Sequence, residues 1–416
     1  MKASSIAELV ARRIPEHSLE REFYSAEGVY EADLEAIWRK DWLFAGHTCQ
    51  IPRPGDYFLF EMDTESLVIL RDDEGRVRAF HNLCRHRGSL LCDRAAGRAK
   101  QLVCPYHQWV YAKDGSLIAS RGMPDDFDRA SHGLIPAAVR DVAGLIYVSL
   151  NPEPTSFDGA FEVLGHAARP QGLERAKVAE RVDYEVPGNW KLVWENNREC
   201  YHCNVNHPQY IKANFDHYNS DDTTPAIRRE LDASVERAER AWRDAGLSPT
   251  HRSQGMTSFP DGDVWYSANR TVLVDGYVSE TMDGRQVAPL MGDYRSSDVG
   301  TLRMRSLPNF WNHSSCDHAV STRLLPAGPQ KTLVTVYWLV HEDAEEGRDY
   351  RLDTLLPFWR LTSEQDWEIV KNAQRGVNSR VYRPGPYSPA KEYNVEAFMR
   401  WYLRRLTAAG LAEDAR

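Results

Sequence analysis

The spacing of hydrophobic positions changes twice along the chain. In the first 41 residues, "SIAELVARR" and "EADLEAIWRKDW" place apolar side chains three and four apart, the helical period. From 42 to 150 the runs shorten and alternate: "DYFLFEM", "SLVILRD", "RVRAFHNL", "LVCPYHQWVYA" and "LIYVSL", each bounded by Gly, Asp, Asn or Pro. Short strands broken by turn residues predict a compact all-β unit rather than βαβ repeats. "NPEPTSFDG" marks a boundary near residue 151. Beyond it, "VDYEVPGNWKLVWENNREC" predicts a strand leading into a helix. "DVWYSANRTVLVDGYV", "TLRMRSLPNFWNHSS", "HAVSTRLLPAGP" and "TLVTVYWLVHE" predict successive strands of an antiparallel sheet. "YRLDTLLPFWRLTSEQDWEIVKNAQRG" predicts a final long helix with Gly376 at its C-cap. The expected class is α+β, with an N-terminal helical part (1–41), an inserted all-β domain (42–150) and a mixed domain (151–416).

Composition narrows the function classes. A net charge of −9 without a long basic run disfavours nucleic acid as a partner. No apolar run approaches the roughly 18 residues of a membrane span, and the N-terminus lacks the apolar stretch of a secretory signal. A cytoplasmic enzyme is expected. No G-x-G-x-x-G or G-x-x-x-x-G-K-[ST] occurs, so a nucleotide cofactor would belong to another protein. The seven cysteines, at 49, 84, 92, 104, 200, 203 and 316, are clustered. In a reducing compartment such clusters favour metal or catalytic chemistry over disulfides.

Two constellations carry chemistry. In the β-rich unit, Cys84-x-His86 and Cys104-x-x-His107 are separated by seventeen residues. Two thiolates on one iron and two imidazoles on the other make a Rieske [2Fe–2S] cluster, and the imidazoles raise its potential. A structural zinc site is the alternative, but zinc fingers keep Cys–Cys and His–His pairs together. Arg85, Arg87 and Gly88 suit a tight loop around the cluster. The second constellation is "ENNRECYHCNVNHPQ", residues 195–209. As a zinc knuckle, Cys200 and Cys203 lack a second pair, and as a redox pair they lack a βαβ context. We expect them to be flanking thiols. His202 and His207, five apart near a helix end, could meet at one metal with a carboxylate from elsewhere. That would be the two-histidine, one-carboxylate set of a non-haem Fe(II) oxygenase. Two solvated histidines at a helix end remain the plainer reading without a third ligand. The final helix offers Asp366, which on its own reads as a solvated charge.

C-x-H…C-x-x-H followed by E-N-x-x-E-x-Y-H-x-x-x-x-H resembles the catalytic α-subunits of Rieske non-haem iron oxygenases. The likeness runs from "EFYS" to "SEQDWEIVKNAQRG". It implies an inserted Rieske domain, a helix-grip-like catalytic domain with an antiparallel sheet, and a head-to-tail homotrimer or pairs of trimers. Carried over, Cys84, His86, Cys104 and His107 would hold the cluster, and His202, His207 and Asp366 the mononuclear Fe(II). Glu199 would stand for the carboxylate that bridges an iron histidine to a Rieske histidine of the neighbouring subunit. Many relatives have Asp there. Asn196 matches a motif position near the iron. Some Rieske proteins bridge their two loops by a disulfide, but Tyr106 occupies the second cysteine's place, so Cys92 should be a packed thiol.

Within the family, "VCPYHQW", "ENNRECYHCN", "NFWNH" and "EQDWEIV" look most like the quaternary-ammonium branch, the glycine betaine and stachydrine demethylases among them. That implies a small-molecule substrate and O2, with electrons from a separate NAD(P)H-dependent flavin/iron–sulfur reductase. The expected reaction is hydroxylation of an N-methyl group, releasing formaldehyde. An aromatic substrate, hydroxylated or O-demethylated, is the second possibility, and an electron carrier without oxygenase activity the third. Quaternary ammonium groups are held by aromatic faces. Trp265, Tyr266, Tyr277, Phe310 and Trp311 are the candidates for that pocket, against the plainer reading that sheet aromatics are core.

Overall fold

The computed structural model describes residues 5–214, 224–247 and 264–411. Parts of the 210–300 region expected to supply pocket residues, 215–223 and 248–263, lie outside the described residues.

The chain begins with short helices, Ile6–Ala11, Arg21–Ser25 and Glu27–Asp33, the last continuing as a π turn to Trp38. The β-rich unit forms three small antiparallel sheets. One has Leu145–Ser149 at its centre, between Leu43–His47 and Ala138–Val142, and its strand Leu43–His47 is wholly buried. The other two are a four-stranded sheet built on Asp56–Met62 and Glu65–Arg71, and a three-stranded sheet over Leu102–Ala119.

The larger domain is built on a six-stranded antiparallel sheet. Its strand order is Ala176–Val186, Thr332–His341, Ala319–Pro326, Phe310–Ser314, Thr301–Ser306 and Tyr266–Thr271. Alternation along each strand divides the core in two. Trp311, Val320, Val334, Val336 and Trp338 face one buried cluster, with Trp194, Trp359 and Trp367. Leu302, Met304, Phe310, Ala319, Tyr337 and Leu339 face a second cluster with Phe44 and Tyr147. The first face is covered by the helices Trp190–Asn197 and Pro357–Val377, through Trp194 on Trp311 at 5.3 Å and Trp359 on His313 at 4.1 Å.

The start of the first helix is locked to the last turns of the second. Asn189 caps the first by accepting from Lys191 N, and its own backbone N–H donates to Gln374 Oε1 on the second at 2.8 Å. Gly188 allows this approach, since a Cβ there would sit 2.5 Å from Val370. Asp33 adds a buried node: it accepts from Lys191 Nζ, from Trp190 Nε1 at 2.9 Å and from Tyr402 OH at 2.7 Å. A buried carboxylate with three donors is fully satisfied, so it fixes the first helix rather than destabilising it.

Three expectations need correction. The long helix does not stop at Gly376; it runs to Val377 with Asn378 as C-cap in the right-handed region, so no left-handed glycine is used. It is also not the final helix, because Tyr393–Ala408 follows, buried along Val395, Phe398, Met399, Trp401 and Tyr402. The third correction concerns Cys200 and Cys203, which form a disulfide rather than free flanking thiols. The chain turns after Asn197 with Cys203 N donating to Cys200 O at 3.2 Å, which brings the two Cα atoms to 5.0 Å, within disulfide reach.

Candidate metal centres

The first candidate centre is made by two loops of one design. In each, the amide four residues after the cysteine donates back to the cysteine carbonyl: Gly88 N to Cys84 O at 2.9 Å, and Gln108 N to Cys104 O at 3.0 Å. Each cysteine amide also donates onward, Cys84 N to Ser89 O and Cys104 N to Trp109 O, both at 2.8 Å. The turns require left-handed backbone at Gly88 (φ +75°) and at Gln108 (φ +59°), the latter unusual for a residue with a Cβ.

The two cysteines are buried and the histidines lie outward, His86 exposed and His107 half-buried. The imidazoles sit 4.7 Å apart, His86 stacked on Trp109 at 4.8 Å and His107 on Tyr106 at 3.8 Å. Tyr111 OH lies 3.3 Å from Cys84 Sγ and accepts from Arg85 N. Burial works against ionising the Cys104 thiol, but the Tyr106 and His107 amides draw it below the usual thiol range, while burial pushes Cys84 up. His107 Nδ1 is buried with no hydrogen-bond partner among the described residues. Two neighbouring sulfurs ringed by amides, plus an imidazole nitrogen that only an additional group can satisfy, fit a two-iron cluster. Cys92 is free and buried, as expected.

The second candidate centre is assembled across the domain. The Trp190–Asn197 helix ends before the histidines; they flank a single-turn helix, Cys203–Asn206, and Pro208 opens the next helix at its first position. They therefore do not share one loosening helix, as the spacing suggested. Asp366 comes in from the middle of the Pro357–Val377 helix. Its Oδ1 lies 3.3 Å from His202 Nε2 and 3.0 Å from His207 Nε2. The other nitrogen of each ring is already engaged: His202 Nδ1 with Glu199 Oε1 at 2.5 Å, His207 Nδ1 with Gln365 Oε1 at 2.8 Å. Those acceptors hold the Nδ1 protons, which leaves two Nε2 lone pairs and a carboxylate oxygen facing one another. Three acceptors converging need a cation between them, and the set suits a divalent iron. Burial alone would lower the pKa of His202, but hydrogen bonds with Asp366 and Glu199 carry it up to about 9, which shows how strongly the two carboxylates draw positive charge to this ring.

Around the centre, Asn196 Nδ2 stands 3.4 Å from His202 Nε2. Glu199 also accepts from the backbone amides of Tyr201 and His202 through Oε2. The Cys203 sulfur is 3.8 Å from His202 Nε2, but the disulfide removes it as a thiolate ligand. Sequence reasoning missed Gln365 and Gln209. Gln209 Nε2 donates to Gln365 Oε1 and to Thr362 Oγ1, each at 2.9 Å, which turns the Gln365 oxygen toward His207. The available signal was position, since each amide lies within two residues of an expected ligand.

The aromatic candidates separate. Trp311 lies on the helix-covered face of the sheet, and Trp265 is buried beside the same cluster. Phe310 points to the opposite face against Phe44 at 4.5 Å, and the Tyr266 hydroxyl packs over Gly159. Tyr277 rests on Gly284 in its own loop. Adjacent residues on a strand face opposite ways, so Phe310 and Trp311, like Trp265 and Tyr266, do not share one pocket.

The fold and the two centres define an α-subunit of a Rieske-type oxygenase. The family model for the ring hydroxylating alpha subunit (catalytic domain) matches residues 173–408 and that for the Rieske [2Fe–2S] domain matches 41–130, so the chain belongs to this family, with its iron–sulfur cluster and mononuclear iron. More particularly, it is 41% identical over 400 residues (95% of this chain, 87% of the relative) to the glycine betaine monooxygenase oxygenase subunit of Chromohalobacter salexigens. It is 40% identical over 402 residues (96% and 91%) to that of Pseudomonas aeruginosa. Its fold matches the quaternary ammonium Rieske monooxygenase CntA in complex with gamma-butyrobetaine, with TM-score 0.69, 21% identity and coverage of 99% and 100%. No helix among the described residues is long and apolar enough to cross a membrane.

Proposed function

We propose that this chain is the terminal oxygenase that removes one N-methyl group from a quaternary ammonium compound of the betaine class, with glycine betaine the first candidate. The observation that carries the reading is the inward convergence of His202 Nε2, His207 Nε2 and Asp366 Oδ1, each imidazole fixed from behind. Overall similarity to two glycine betaine monooxygenase oxygenase subunits supports the substrate class.

Cys84, His86, Cys104 and His107 would hold the cluster, and His202, His207 and Asp366 the iron. Together these groups supply electron transfer and O2 activation when bound. The balanced reaction converts the trimethylammonium, O2, NAD(P)H and a proton to the dimethylammonium, formaldehyde, water and NAD(P)+. The chain's residues position one methyl C–H, and Glu199 keeps a proton on His202 Nδ1 so that Nε2 points inward. Glu199 would also meet a Rieske histidine of a neighbouring subunit. The exposed His86, flanked by Leu90 (53% exposed) and Tyr106 (56%), supports a surface where another copy docks, and hence a head-to-tail trimer. The family-matched spans, 41–130 and 173–408, support the division at about 42 and 151. The test supplies a flavin/iron–sulfur reductase and NADH and measures formaldehyde from glycine betaine, carnitine, choline and methoxy-aromatics. Coupled formaldehyde from a betaine is expected; coupling only to a methoxy-aromatic would overturn the substrate class.

A further inference from the structure

Among the described residues, Arg198 is a buried cation without an anion. It forms the C-cap of the Trp190–Asn197 helix, two residues after Asn196 and four before His202. Only 8% of the residue is exposed, and its guanidinium lies 4.7 Å over the Trp265 ring. Its Nε is buried with no hydrogen-bond partner, and among the described residues no carboxylate lies within ion-pair distance of it. Burial and the neighbouring Arg305 both work against its charge, with Tyr393 a weak offset.

Other buried cations of the chain are answered. Lys191 is paired with Asp33, Arg405 with Asp41 and Arg13 with Glu396, while Arg270 donates to the Val299 carbonyl and the Tyr294 hydroxyl. An unpaired buried charge is strongly unfavourable, so a site that keeps one is built for a ligand that neutralises it. Position specifies that ligand. Arg198 stands between the end of the helix that leads into the iron turn and the sheet face carrying Arg305 and Trp311, which pair across adjacent strands. Trp194 on the same helix packs on Trp311. The indole of Trp265 fixes one face of the guanidinium, which leaves its N–H edge to meet a planar two-oxygen acceptor.

We propose that Arg198 binds the carboxylate of the substrate, and so makes the enzyme select betaines over cationic alcohols of the same head group. The inference rests on the proposed betaine reading, since choline shares the trimethylammonium but has no carboxylate.

The test compares metal-loaded wild type, Arg198→Met and Arg198→Lys, without reductase, by calorimetric titration and thermal shift with glycine betaine and choline. Loss of a charge-assisted bidentate contact should weaken glycine betaine by about 30-fold or more in Arg198→Met, and leave choline within about 3-fold. Removing an unpaired buried charge should leave the ligand-free melting temperature equal or higher, a readout independent of activity. Arg198→Lys keeps the charge without the fork and should fall between the two. Betaine binding within about 3-fold of wild type in Arg198→Met would overturn the anchor while the demethylase reading stands. A change of oligomer mass in Arg198→Met would also overturn it, because the anion would then come from a neighbouring copy. If wild type binds no betaine, benzoate decides: a thermal shift in wild type that Arg198→Met abolishes supports the anchor and sinks the betaine reading, and no shift with benzoate sinks both.

Discussion

Replacing Gln365 by Leu should weaken the mononuclear iron without touching either histidine. Gln365 Oε1 accepts from His207 Nδ1 at 2.8 Å, and His207 is only 1% exposed, so no water can take over when the acceptor is deleted. Without metal, the ring of the variant can move its proton to Nε2 and donate to Asp366 Oδ1, 3.0 Å away. With metal, Nε2 is needed as a ligand, the proton must stay on Nδ1, and that buried N–H has no partner. The penalty, about 1–3 kcal/mol for an unsatisfied buried donor, therefore falls on the loaded state alone. It corresponds to an iron affinity about 10- to 100-fold lower, the usual size of such outer-partner effects. The assay is chelator competition for Fe(II), followed as iron per chain, with the reduced Rieske EPR signal as internal control. Gln365→Glu retains an acceptor and should retain iron. Wild-type iron retention in Gln365→Leu, or loss of the cluster signal along with the iron, would refute the argument.

Asp366→Ala should lose the mononuclear iron and keep the cluster, read as two irons per chain with an unchanged cluster EPR spectrum. Glu199→Gln should keep both metals but slow turnover by at least about 10-fold, because an amide holds the Nδ1 proton less strongly and bridges poorly; metal loss or full activity would count against the role. A pH test concerns Glu195, whose Oε1 is buried without a partner among the described residues and whose Oε2 accepts from Tyr387 OH at 3.4 Å. Burial raises its carboxyl to about 7, against the opposing effects of Tyr24, Lys191 and Tyr387. The folded state then holds a proton that the unfolded chain releases near 4.5, so this contribution is full below about 4.5 and lost as pH rises through about 7. Because other atoms of the residue are partly exposed, the loss is about 1–2 kcal/mol rather than the full value of the shift. Glu195→Gln should flatten the melting temperature between about pH 5 and 8 and exceed wild type at the upper end; an unchanged slope would contradict the assignment.

The candidate ligands were legible in the sequence because metal chemistry restricts ligand types severely. Cys84, His86, Cys104 and His107 sit on two hairpin loops whose spacing is local, so the pattern alone implied their meeting. Asp366 is different. It lies about 160 residues from the histidines, and neither periodicity nor charge marked it; the incomplete two-histidine set did. The structure adds what a single chain position cannot show, namely which acceptor stands behind each ring. Gln365 is unremarkable as sequence and Glu199 was expected as a bridge between subunits, yet their oxygens fix the Nδ1 protons and hence the direction of both Nε2 lone pairs.

The failures have physical causes of the same kind. Gly376 looked like a cap because glycine favours left-handed backbone, but Asn378 closes the helix in the right-handed region, so no such residue was needed. The aromatic candidates adjacent in sequence separate in space, because strand alternation sends Phe310 and Trp311 to opposite faces. The missed Arg198 shows the limit most clearly. In sequence it is one arginine among many, and an arginine beside a glutamate reads as an ordinary surface pair. In the fold, Glu199 is committed to His202 and to two backbone amides, so it does not neutralise its neighbour. The charge that could have closed the pair serves the iron turn instead, and Arg198 keeps its demand for an anion inside the protein.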